Sequence, residues 1–186
     1  MTTHLHFIQQ NLMERRHNTY ALVAILPPHL DELIMPLRER YDPLYVQLPS
    51  HITVVFPFEA EMDQDELVSR IQSETVAQPA IVVETHSIGD FYPKYPVIYW
   101  SVKKNDQLSS LYYRINAKLE IPIPFKEYIP HITVAREISN HRVMLVKEKI
   151  APYLPDEKFQ VRALDLIAPV TGMRWVSIRT FPLIAG

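Results

Sequence analysis

The chain has 186 residues, 47% of them hydrophobic and 10% aromatic, which suits one compact unit with a core large enough to fold alone. Its formal net charge is −2, without the basic bias that long nucleic acid demands, although residues 1–93 sum to −8 and residues 94–186 to +6. The absence of cysteine excludes disulfides, thiolate metal sites and cysteine nucleophiles, and with 3 glycines neither a GxGxxG nor a GxxxxGKS/T phosphate loop can be built.

Residues 1–18 form a polar extension without the apolar segment and cleavage site of a secretory signal. No apolar run reaches the ~18 residues of a membrane span, so a cytoplasmic protein with no membrane partner is expected. TYALVAIL, residues 19–26, reads as a buried strand closed by Pro27 and Pro28, and residues 29–41 as a helix made irregular by Pro36. HITVVF, residues 51–56, is a strand that alternation divides into His51, Thr53 and Val55 on one face and Ile52, Val54 and Phe56 on the other. Residues 63–77 place Leu67 and Ile71 on one helical face behind an acidic first turn.

Two strand-like runs, AIVVETHSIGDF and VIYWSVK, follow, joined by the turn-rich YPKYP. Residues 106–119 read as an amphipathic helix with Asp106 as its N-cap. HITVAR is a strand, residues 140–154 a helix, and FQVRALDLIAP and RWVSIRTF the closing strands. No linker separates these elements, so residues 1–186 are read as one domain of the α/β (α+β) class. A duplicated β-α-β unit would place the two HITV tetrads on equivalent strands of two lobes, facing each other across a cleft.

Each tetrad sets a histidine and a threonine on one side of a strand, ~6–7 Å apart. Two imidazoles and two hydroxyls across a cleft suit a phosphodiester: one imidazole takes a proton, the other gives one, and the hydroxyls hold non-bridging oxygens. A zinc site needs a third ligand, and neither tetrad offers HExxH or an adjacent carboxylate. Ser50 lacks the G-x-S-x-G elbow of a nucleophile. His4, His6 and His17 fall in the polar extension, and His86 reads as a structural or exposed strand residue.

The paired motifs carry a resemblance. LPSHITVVFPF and PFKEYIPHITVAREI, with the hairpin AIVVETHSIGDFYPKYPVIYWSVK and the closing FQVRALDLIAPVTGMRWVSIRTFPL, are similar to the two-histidine phosphoesterase superfamily, on its 2′-5′ RNA ligase or LigT-like branch. The resemblance covers residues 20–183, and its hairpin here has only Gly89 where the family is commonly Gly-rich.

It implies a bilobal fold of two antiparallel sheets with outer helices and a pseudo-twofold axis. It also implies metal-independent, cofactor-free cleavage or transfer at 2′,3′-cyclic phosphates or 2′-5′ linkages of a nucleotide or RNA substrate, with no obligate protein partner. The catalytic set falls on His51, Thr53, His131 and Thr133. Phe56 matches an aromatic that stacks near a base and Arg136 a basic residue that reaches phosphate. Strict alternation puts both opposite their histidines, so each strand has to end or bulge there. Tyr92 and Tyr95 in the proline-rich turn, and Arg174 at the start of the last strand, complete the expected substrate contacts. The rival from another class is a non-catalytic module that binds a nucleotide or single-stranded RNA, with a metallohydrolase third.

Overall fold

The computed structural model describes residues 18–124, 127–170 and 174–185. His4, His6 and His17 lie outside the described residues. The elements are β1 (Thr19–Ile25), α1 (Pro28–Tyr41), β2 (His51–Glu59), α2 (Gln64–Thr75), β3 (Ile81–Asp90), β4 (Ile98–Val102), α3 (Asp106–Lys118), β5 (His131–Ala135), α4 (Val143–Ile150), β6 (Lys158–Val161), β7 (Ala163–Pro169) and β8 (Trp175–Pro182). No helix among the described residues is long and apolar enough to cross a membrane.

The eight strands form one antiparallel sheet in the order β6-β3-β4-β5-β2-β1-β7-β8. The expectation of two separate sheets is corrected: the motif strands β2 and β5 meet at the centre, in register only at Ile52 and Ile132. The halves on either side of this seam are not successive segments. One is β3 to β6; the other joins β1 and β2 to the C-terminal β7 and β8.

One sheet face is covered and the other carries the site. Strand residues such as Leu22, Ile52, Val54, Ile98, Trp100, Ile132 and Leu166 bury against helix residues such as Ile34, Leu67, Ile71, Leu111, Ile115 and Val146. The period of two in the strands and about 3.6 in the helices makes this division possible. On the other face, Ala21, Val23 and Ile167 form a small cluster separate from that core.

Local chemistry settles the helix ends. Pro28 opens α1, where its missing N–H costs nothing, and the helix runs on through Pro36. The N-cap of α3 is Asn105, not Asp106: Asn105 is extended, and its side chain accepts from Leu108 N–H at 3.0 Å while Asp106 is already helical. The single helix expected over residues 140–154 is three pieces, with tight 3₁₀ turns at Asn140–Arg142 and Ala151–Tyr153 flanking α4. Pro152 cannot continue the α-helical ladder there.

Candidate active site

Both tetrads break regular alternation at the same place. Across β2, Thr53 stands opposite Val23 and Val55 opposite Leu22, leaving Val54 as an extra residue. Across β5, Thr133 stands opposite Tyr99 and Ala135 opposite Ile98, leaving Val134 extra. A bulge resets the parity of the residues after it. Val54 and Val55 are therefore both buried, as are Val134 and Ala135, which corrects the placement of Val55 beside His51. Phe56 and Arg136, each five residues past its histidine, return to the histidine's face. They line one cavity of about 340 Å³ together with His51, Thr53, His131 and Thr133.

The two imidazoles are held alike. His51 Nδ1 lies 2.8 Å from the carbonyl oxygen of Pro49, and His131 Nδ1 lies 2.7 Å from that of Ile129. A carbonyl only accepts, so each Nδ1 carries the proton and each Nε2 is left with a free lone pair. Burial drives the His51 pKa down from its ordinary 6.5 to about 4, against the Pro49 bond, with Arg38, Arg136 and His131 adding in the same direction as burial. Burial also lowers that of His131, with Arg136 adding and the Ile129 bond opposing. Both rings are neutral at pH 7 in the empty cleft. Neither threonine hydroxyl has a hydrogen-bond partner among the described residues.

The surroundings of the two histidines differ. His51 follows Ser50, whose hydroxyl accepts from Nη1 of the buried Arg38 at 2.9 Å, while Ser50 N–H donates to Asp31 at 2.9 Å. Arg38 also donates from Nη2 to the Leu48 carbonyl at 3.0 Å and pairs with the buried Asp42 at 3.2 Å. Asp42 in turn lies 2.8 Å from Arg136 Nε, an ion pair whose N–H is not aligned as a hydrogen bond. Two guanidiniums sharing one carboxylate leave a net positive charge beside His51.

His131 instead sits against Phe91 and Tyr99, at ring separations of 5.0 and 5.1 Å. Gly89 stands opposite Tyr99, and any β-carbon there would overlap the Tyr99 ring. Three residues ahead of His131, Tyr128 donates its hydroxyl to the Thr53 carbonyl at 2.8 Å and stacks on Tyr112 at 4.3 Å. That bond ties the approach to β5 onto β2.

Tyr92, Tyr95 and Arg174 are exposed and do not line the cavity; the neighbours Phe91 and Trp175 are the ones that touch His131 and the cavity respectively. His86 is half-buried on β3, outside the cavity, with its Nδ1 buried and unpartnered. Arg38, Phe91, Tyr99 and Tyr128 were not singled out as site residues from sequence. Nothing local marks Arg38, one of several charges on a helix, and the others read as core aromatics. Among the described residues no three His, Asp or Glu side chains gather as a metal site would require.

The family model for the 2′-5′ RNA ligase superfamily matches residues 26–172. The chain belongs to that superfamily. It is 29% identical over 168 residues to the "Putative phosphoesterase GK0864" of Geobacillus kaustophilus, covering 87% of this chain and 94% of that one. It is also 28% identical over 164 residues to a Staphylococcus aureus protein of the same general name, covering 87% and 97%. Among solved structures, E. coli LigT complexed with 3′-AMP superposes with a TM-score of 0.64 at 16% identity, over 89% of this chain and 98% of that one. TT0787 of Thermus thermophilus does so at 0.65 and 16%, over 89% and 97%. These two likenesses establish the shared fold. With the family, they support a phosphoesterase.

Proposed function

We propose that this chain cleaves or transfers a phosphodiester at a 2′,3′-cyclic phosphate or 2′-5′ linkage of a nucleotide or RNA end, by acid–base catalysis between His51 and His131 without a metal or cofactor. The observation that carries the reading is the matched anchoring of the two rings: each presents a bare Nε2 to one cavity that also holds two unengaged threonine hydroxyls and Arg136. The solved complexes of LigT with 3′-AMP and with phosphate are consistent with such a ligand.

For a cyclic phosphate, His51 Nε2 takes the proton of a water as its oxygen bonds to phosphorus. The bond from phosphorus to one ribose oxygen breaks, and His131 supplies the proton that oxygen needs. His51 is the base because Arg38 and Arg136 oppose its protonation most strongly. The entering phosphate supplies the negative charge that protonates His131. Thr53 and Thr133 donate to the non-bridging oxygens, and Arg136 offsets their charge. The substrate is the one partner this chemistry requires, and the reaction is placed in the cytoplasm.

The test is turnover, in EDTA, of 2′,3′-cyclic nucleotides, 2′-5′ dinucleotides and cyclic dinucleotides by the native chain beside His51→Ala and His131→Ala. Turnover abolished in both variants supports the paired mechanism, and the product isomer fixes which bond breaks. Activity lost to EDTA and restored by zinc overturns the metal-free reading. No turnover, with nucleotide binding unaffected by either substitution, identifies a binding module instead.

A further inference from the structure

The cavity has two chemically different ends. Imidazoles, hydroxyls and Arg136 make one. The other is Ala21, Val23 and Ile167, 3%, 1% and 2% exposed, with Leu48 and Trp175 packed on them as a cluster detached from the main core. Phosphoryl transfer makes no use of such a surface. A small residue beside two β-branched ones presents a flat apolar strand face, and an indole at its margin adds a π surface.

The loop between α1 and β2 closes this end and is held at two points. Trp175 N–H donates to the Gln47 carbonyl at 3.0 Å, and Arg38 holds the Leu48 carbonyl. Gln47 also lines the cavity, and its amide offers two donors and an acceptor, the complement of a heterocycle's edge.

We propose that this apolar end is a nucleobase subsite, which takes the base of the nucleotide whose phosphate lies between His51 and His131. It is formed by β1, β7, Trp175 and the Gln47 loop. The proposal rests on the phosphodiester reading and adds two things to it: the base lies on the His51 side of the cleft, and the closed part of the site accepts one terminal nucleotide. A volume of about 340 Å³ stands near the low end of small-molecule sites, enough for one nucleotide and too little for a second base.

Intrinsic fluorescence reads the subsite directly. Trp100 is fully buried and its indole N–H is bound by the Pro155 carbonyl at 3.0 Å, so ligand-dependent changes report Trp175. The full chain is titrated with adenosine 3′-monophosphate and, separately, with inorganic phosphate, by fluorescence and by calorimetry. The nucleotide quenches emission and phosphate does not. Trp175→Ala weakens nucleotide binding about tenfold, the scale of one base–aromatic stack, and leaves phosphate affinity unchanged. Trp175→Phe restores most of the loss, and Gln47→Ala gives a smaller loss confined to the nucleotide.

Wild-type emission that ignores the nucleotide, or a Trp175→Ala chain that loses phosphate and nucleotide equally, overturns the proposal; the first needs no variant to fold. Should these ligands bind as stated while no phosphodiester is turned over, the catalytic reading fails and the subsite stands.

Discussion

Replacing Arg38 by methionine tests how the His51 side of the cleft is built. The side chain is 2% exposed and makes contacts to Asp42, Ser50 and Leu48, so the substitution leaves a buried carboxylate, a hydroxyl and a carbonyl short of a partner. Removing one member of a buried ion pair costs about 3–5 kcal/mol. Asp42 keeps Arg136 and the Leu44 N–H, which places the loss at the lower part of that range. In a chain of this length each kcal/mol lowers Tm by about 2–4 °C, so circular dichroism should record a fall of roughly 6–12 °C.

The same change removes a cation that disfavours protonation of His51, whose pKa then rises from about 4 toward the ordinary 6.5. The acid limb of the kcat/KM profile moves to higher pH. Arg38→Lys keeps the charge without the fork, so it should restore the limb more fully than the melting temperature. An Arg38→Met chain that melts with the wild type, or that keeps its acid limb, would sink this account.

Three further outcomes follow from the site. The folded His51 pKa lies below its unfolded value, so the unfolded chain binds the proton first; stability is complete above the unfolded pKa and declines as pH falls from about 6.5 toward 4, by up to ~3 kcal/mol, a slope in Tm against pH that His51→Gln should flatten. Thr53→Val and Thr133→Val should each cost ~1–3 kcal/mol of transition-state binding with little change in Tm; unchanged kinetics in both would remove the hydroxyls from the mechanism. Gly89→Ala drives Tyr99 off its position against His131 and should lower kcat about tenfold or more, which steady-state kinetics at fixed pH can check against a folded, wild-type-like spectrum.

The parts of this molecule legible in the sequence are those written locally. Alternation marks the strands, a 3.6-residue apolar period marks α2 and α3, and the repeated tetrad marks the four polar groups of the cavity. The bulges are different: Val54 and Val134 look like ordinary strand valines, and only pairing with β1 and β4 makes them extra. Asn105 and Asp106 are both good caps, and the choice between them depends on which residue is extended. Arg38 gives no local signal, because its partners Ser50 and Leu48 arrive from beyond the helix. Whether four-stranded halves make two sheets or one depends on a single contact, Ile52 with Ile132.

The order of strands also sets an order of birth. The His131 half is continuous, residues 81–161, and can close as soon as that stretch leaves the ribosome. The His51 half cannot: β1 waits with one edge unpaired until β7, more than a hundred residues later, arrives to cover it. A nascent chain stalled after β6 should thus protect β3 to β6 from protease and leave β1 open. The apolar cluster of Ala21, Val23 and Ile167 joins the two ends of the chain, so the cleft comes into existence only with the last strands made.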